Sequence, residues 1–205
     1  MKKNDIEIRS TSYRFNEVEE GSRTIKGLAI PVNSQSELLS GKNYRFYETI
    51  SPNAVSDELI KSQDVKIYLD HDSSQGTFAR SKYGEGSLKL TATERGLEFE
   101  FEAPRTAFGD MLLEGIRRGD YDKCSYAFIS DPNTETVTRN EDGTYNRTIN
   151  NIMWLDEISI LSLTPAYDST EVDVRSISTL QEQRNNEILS ELDKIYEDIE
   201  KNSNI

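Results

Sequence analysis

Most of the chain alternates apolar and polar residues with a period of two. Val65, Ile67 and Leu69 alternate with Lys66 and Tyr68; Leu88 and Leu90 with Ser87, Lys89 and Thr91; Leu97, Phe99 and Phe101 with Glu98 and Glu100; Ile6 and Ile8 with charged neighbours. Successive side chains of a strand point to opposite faces, so each run predicts a strand with one buried face. Residues 135–154 predict a hairpin around Asn140-Glu141-Asp142-Gly143, because Asp-Gly readily takes the positive-φ positions of a tight turn. That hairpin is polar up to Ile149 and is expected to stand partly outside the core. A last strand is expected over 157–163, ahead of Pro165.

Three segments read as helices. Ser51-Pro52 offers an N-cap followed by proline at the first helical position, predicting a helix to about Lys61. A second starts near Thr106, with Met111, Leu112 and Ile116 as its apolar stripe. Arg117 and Arg118 suit its last turn, and Gly119 its left-handed cap. In the third, Ile188, Leu192, Ile195 and Ile199 recur in a heptad-like seam among charged residues. The stretch 168–178, rich in Ser, Thr and Asp, divides a β-rich domain over 1–176 from a helical, coiled-coil-like tail over 177–205. The fold class is α+β. The tail's seam is too narrow for a deeply buried helix, and predicts pairing with another copy of itself, with the scaffold protein of a larger assembly, or with a groove on its own β-domain.

Composition narrows the function. Of 205 residues, 37 are Asp or Glu and 24 are Lys or Arg, a formal charge of −13. Phosphate contact needs clustered cations, so nucleic acid is excluded as a partner. No run approaches the roughly 18 apolar residues of a membrane span. The first five residues, Met1-Lys2-Lys3-Asn4-Asp5, carry no apolar region of a secretory signal, which predicts an intracellular protein. Cys124 is the single cysteine and His71 the single histidine; an internal disulfide and a zinc site built from Cys and His are excluded. Neither a metal nor a cofactor is expected.

His71 follows Val65, Ile67 and Leu69 in the same phase. If the strand persists, the imidazole lies on the core-facing side at the strand's end, with Asp70 and Asp72 turned away. A partly desolvated, oriented and reachable imidazole suits a general base; a hydrogen-bonded strand-end histidine is the plainer alternative. Cys124 and Ser125 are adjacent and face opposite sides of a strand. Ser125 shares its face with the small Ala127, whereas Cys124 shares its face with Tyr126 and Phe128. Ser125 is therefore the better nucleophile and Cys124 the better core residue, though Ser125 also suits a plain small strand residue. In the last strand Glu157 and Ser159 face one side, Ile158 and Ile160 the other. Such a carboxylate can be solvated, pair with an arginine, or orient a histidine ring.

Six segments in order resemble the prohead protease family of tailed bacteriophages, serine proteases that process capsid and scaffold in the immature head. They are Lys26-Gly27-Leu28-Ala29 with Asn33 and Ser36; the run Phe46-Tyr47-Glu48-Thr49-Ile50-Ser51-Pro52-Asn53-Ala54-Val55; Leu69-Asp70-His71-Asp72; Arg95-Gly96-Leu97; the stretch from Gly119 through Phe128; and Glu157-Ile158-Ser159-Ile160 with Thr164-Pro165-Ala166-Tyr167. The family is similar in fold to the herpesvirus assembly proteases, which implies a mostly antiparallel, barrel-like β core with a few helices around it. The resemblance makes His71 the general base, Ser125 the nucleophile and Glu157 the ring-orienting acid, with Asp156 as the near alternative. It implies an endopeptidase in the host cytoplasm, inside the viral prohead, with the major capsid protein, the scaffold and the protease itself as substrates. The turn at 164–166 is a candidate source of oxyanion donors. Two rivals remain: a non-catalytic scaffold or capsid interaction protein of the same fold, and a Cys-His peptidase using Cys124.

Overall fold

The computed structural model describes residues 6–11 and 21–162. Thirteen strands and two α-helices follow in chain order: β1 (Glu7–Thr11), β2 (Thr24–Pro31), β3 (Leu39–Ser40), β4 (Arg45–Ile50), α1 (Asp57–Ser62), β5 (Asp64–Leu69), β6 (Ala79–Lys82), β7 (Glu85–Gly86), β8 (Leu88–Thr93), β9 (Gly96–Glu102), α2 (Ala107–Arg118), β10 (Lys123–Ser130), β11 (Thr136–Arg139), β12 (Tyr145–Ile149) and β13 (Ile152–Leu161). They form a six-stranded sheet, β1-β10-β13-β5-β6-β7, a four-stranded sheet, β11-β12-β4-β3, and a three-stranded sheet, β2-β9-β8. Pairing is antiparallel except for β13 with β5 and β12 with β4. Among the described residues the strands stay in three open sheets around a shared core, rather than closing into the expected barrel. The tail expected over 177–205, with its domain boundary, lies outside the described residues.

The alternating runs became strands, because the core takes Val65, Ile67, Leu69, Leu88, Leu97, Phe99 and Phe101 from one face of each. The first strand departs from its pattern. β1 buries Arg9 and Thr11 and leaves Ile8 53% exposed. The core-side position is taken by an arginine whose Nε and Nη2 each donate to a Glu48 carboxylate oxygen at 2.8 Å. Two charge-assisted bonds in a fork outweigh the burial of one isoleucine.

The predicted hairpin forms between β11 and β12, with Gly143 at φ +89° in its turn. Its β11 half is mostly exposed, as expected of a hairpin partly outside the core, but its β12 half is not. β12 pairs with β4 and buries Tyr145, Arg147 and Ile149. Arg147, 2% exposed, donates to Glu7 Oε2 at 2.6 Å, Glu48 Oε2 at 2.7 Å and Glu135 Oε2 at 3.0 Å. The strand reads as polar because its inward position holds an arginine among three carboxylates.

The first helix is divided. Pro52–Ala54 makes a single 3₁₀ turn, Val55 is extended, and α1 begins only at Asp57. Ser56 caps it, its Oγ accepting from the Leu59 N–H at 3.2 Å, whereas Ser51 makes no side-chain cap. A serine hydroxyl competes with the backbone for an N–H, and here it restarts the helix. In α2 the cap at Thr106 and the left-handed Gly119 stand where expected. Its buried stripe is Leu112, Leu113 and Ile116, while Met111 is 39% exposed.

Candidate active site

The site is carried by β10, β13 and the turn after β5. β10 and β13 run antiparallel with Ser125 opposite Ser159 and Ala127 opposite Glu157. β13 runs parallel to β5 with Ser159 beside Tyr68 and Ile160 beside Leu69. Residues opposed across a ladder point to the same face. Ser125, Ala127, Glu157, Ser159 and Tyr68 therefore share one face of the six-stranded sheet. Cys124, Ile160 and Leu69 share the other, inside the core.

His71 reaches the first of these faces, contrary to the phase of its strand. β5 ends at Leu69, and Asp70 and His71 then adopt φ of +50° and +61°. The Asp72 N–H donates to the Leu69 carbonyl at 2.9 Å, closing a tight turn with both central residues left-handed. Such a conformation costs a non-glycine residue about 1–3 kcal/mol and persists only where the surroundings impose it. The turn reverses the chain, and the imidazole lands on the face opposite Leu69. There its Nδ1 contacts Glu157 Oε1, in a short hydrogen bond. The His71 backbone N–H donates to Ser159 Oγ at 3.2 Å, and that hydroxyl lies 3.5 Å from the same Glu157 oxygen. A carboxylate oxygen at Nδ1 accepts from the tautomer that carries its proton there, in which Nε2 holds the lone pair. The histidine side chain is 28% exposed, partly desolvated and still accessible.

Asp156 does not compete for the imidazole. The register shifts between Ala127 opposite Glu157 and Phe128 opposite Leu155, leaving Asp156 as the extra residue of a bulge. Its carboxylate lies 3.7 Å from Lys66 Nζ, and burial holds its pKa above the usual range against the pull of that ammonium.

Ser125 sits one strand from this pair and is 0% exposed. Its hydroxyl donates to the Arg9 carbonyl of β1 at 2.9 Å. The structure thus brings His71 and Glu157 into contact and sets Ser125 on their face beside Ser159. The Ser125 hydroxyl itself is turned toward β1. Facing the core, Cys124 is buried, and burial pushes its thiol well above its ordinary range. It lies across the sheet from the imidazole. The 164–166 turn lies outside the described residues. Among the described residues no group of three or more His, Cys, Asp or Glu side chains is arranged to hold a metal ion, and no helix is long and apolar enough to cross a membrane.

Ser159 is the site residue least evident in the sequence. Its phase with Glu157 puts it on the correct face, but its contact with the His71 backbone depends on the turn. The Asp70 carboxylate hydrogen-bonds the backbone N–H and the hydroxyl of Ser162 beside that turn, a pairing that strand phase does not reveal.

No curated protein matches the chain in sequence. Among solved structures, the capsid assembly protease of bacteriophage T4 is similar at 11% identity with a TM-score of 0.43, covering 77% of this chain and 97% of that one. The family model described as caudovirus prohead serine protease matches residues 9–184, a span containing every strand from β2 to β13, His71, Ser125 and Glu157. The chain belongs to the caudovirus prohead serine protease family.

Proposed function

We propose that the chain is a serine endopeptidase of phage head maturation, with Ser125 as nucleophile, His71 as general base and Glu157 as the acid that orients the imidazole. The observation that carries this reading is the contact of Nδ1 with Glu157 on the face that also holds Ser125. It leaves Nε2 as the nitrogen free to accept a proton. In this reading the Ser125 hydroxyl leaves the Arg9 carbonyl and gives its proton to Nε2 as Oγ bonds to the substrate carbonyl carbon. The imidazolium, held by Glu157, then returns that proton to the leaving amine as the C–N bond breaks. Water attacks the acyl-enzyme by the same proton route and releases the acid. The substrates of this reading are the capsid protein's removable segment, the scaffold and the protease itself, inside the prohead. The tail, residues 177–205, would recruit the enzyme by self-association or scaffold contact.

One observation favours a second reading, a non-catalytic interaction protein. Ser125 is fully buried, and its hydroxyl is committed to the Arg9 carbonyl. Co-expression with the neighbouring capsid and scaffold genes, followed by intact-mass analysis, separates the two. Processing by the parent that is lost in Ser125→Ala supports the protease; assembly without any cleavage supports the interaction protein.

A further inference from the structure

Both residues flanking His71 are tied by their own carboxylates. Asp72 Oδ1 accepts from the Ser74 N–H at 2.8 Å and Oδ2 from Gln75 Nε2 at 3.2 Å, which fixes the exit from the turn. Asp70 fixes the entry more tightly. Its N–H donates to the Ile160 carbonyl at 2.9 Å. Its Oδ1 accepts from the Ser162 N–H at 2.8 Å, and its Oδ2 takes the Ser162 hydroxyl in a short hydrogen bond. One side chain therefore binds the turn to the end of β13, the strand that carries Glu157 and Ser159. A turn with two left-handed central residues favours Asn or Asp followed by glycine. Asp70 is an ordinary occupant, but histidine stands where glycine is preferred, so the conformation must be imposed from outside. Without it the period of β5 would carry the imidazole to the core face, away from Glu157.

We propose that Asp70, clamped by Ser162, is a positioning residue that holds the left-handed turn and thereby delivers His71 to Glu157. The consequence for catalysis rests on the reading of His71 as the general base; the consequence for ring geometry does not. As His71 is the only histidine, its ring nitrogens give unambiguous ¹⁵N signals. The folded parent should show the Nδ1-protonated tautomer. Asp70→Gly leaves the left-handed conformation sterically free but removes the clamp. Its ring signals should move to a mixture of tautomers, and the processing rate should fall on the order of 10²-fold, as a misplaced catalytic group implies. Ser162→Ala, which keeps the backbone N–H bond, should fall roughly tenfold, losing one charge-assisted bond. Asp70→Asn can accept from the Ser162 N–H and donate to its hydroxyl, and should keep the parent tautomer and most of the rate.

A mixed tautomer in the parent, or an Asp70→Gly protein that folds and retains both tautomer and rate, overturns the proposal. Should Asp70→Gly fail to fold, Ser162→Ala decides, and parent-like ring signals together with a parent-like rate in that variant reject the clamp. An inactive parent whose ring signals still respond to Asp70→Gly leaves the clamp standing and defeats only the protease reading.

Discussion

The charged cluster joining β1, β4 and β12 and the His71 face of β10 and β13 both take polar side chains out of water, but they satisfy them differently. In the cluster, Arg9 and Arg147 share Glu7, Glu48 and Glu135, with Ser130 bridging Glu7 and Glu135 at 3.0 and 2.7 Å. Glu7, Arg9, Glu48, Ser130 and Arg147 sit on strands, Glu135 stands just ahead of β11, and none of them has a positive φ. At the His71 face the backbone is strained, the imidazole has one nitrogen without a hydrogen bond among the described residues, and the Ser125 hydroxyl is bound to the Arg9 carbonyl, a bond it would leave to react under the proposed reading. A fully paired buried network holds sheets in register; a partly paired one on a strained turn would, under the proposed reading, hold reactive groups ready. Removing a group from the first should cost stability, and from the second activity.

The largest expected effect is on activity. Ser125→Ala or His71→Ala should lower the processing rate on the order of 10⁴-fold or more, with little change in thermal midpoint. Glu157→Gln should retain about a hundred-fold more activity than His71→Ala, since an orienting acid acts through the ring. Intact-mass time courses of co-expressed capsid protein measure both. Normal cleavage by Ser125→Ala would remove the site from the comparison altogether.

Arg147→Met comes next and should act on stability. It removes one of the two guanidinium groups that face the buried carboxylates and leaves Arg9 on Glu7 and Glu48; breaking a buried pairing from one side typically costs up to about 3–5 kcal/mol. Urea unfolding should show this as a lower midpoint, with cleavage by the folded fraction preserved. A stable but inactive Arg147→Met would mean that the cluster serves the chemistry after all.

Acid should find the same weak point. Burial alone would raise the Glu7 carboxyl, but the hydrogen bonds and charge of Arg147, with Arg9 behind, outweigh it and hold the pKa down from 4.5 to about 2. A carboxylate depressed in the folded state contributes its stability fully above about pH 4.5 and loses it as pH falls through about 2. Glu7→Gln should flatten the dependence of unfolding free energy on pH across that window; an unchanged slope would place the acid sensitivity elsewhere.

Small effects sharpen the contrast. Cys124→Ser should keep substantial activity and lose about 1–3 kcal/mol, because a hydroxyl replaces a buried thiol among apolar neighbours. Asp156→Asn should change stability by no more than about 0.5 kcal/mol and leave the cleavage rate near that of the parent, its long contact being with Lys66 on a half-exposed rim. A dead Asp156→Asn beside an active Glu157→Gln would exchange the roles of the two acids.

Much of this protein is determined locally and can be read without coordinates. The period of two in 65–69, 88–93 and 97–101 is a property of consecutive residues, and so are the Asp-Gly turn at 142–143 and the Thr106 and Gly119 ends of α2. The adjacency of Cys124 and Ser125 sends them to opposite faces of any strand, and they do face oppositely here. Tertiary structure decided what depends on partners distant in sequence. Arg9 and Arg147 look like surface residues until Glu48 supplies a buried counter-charge, which is why β1 and β12 run against their patterns. The face that receives His71 was likewise beyond periodicity. Alternation extends a strand indefinitely, whereas the turn that reverses the imidazole toward Glu157 exists because Asp70 meets Ser162, 92 residues away.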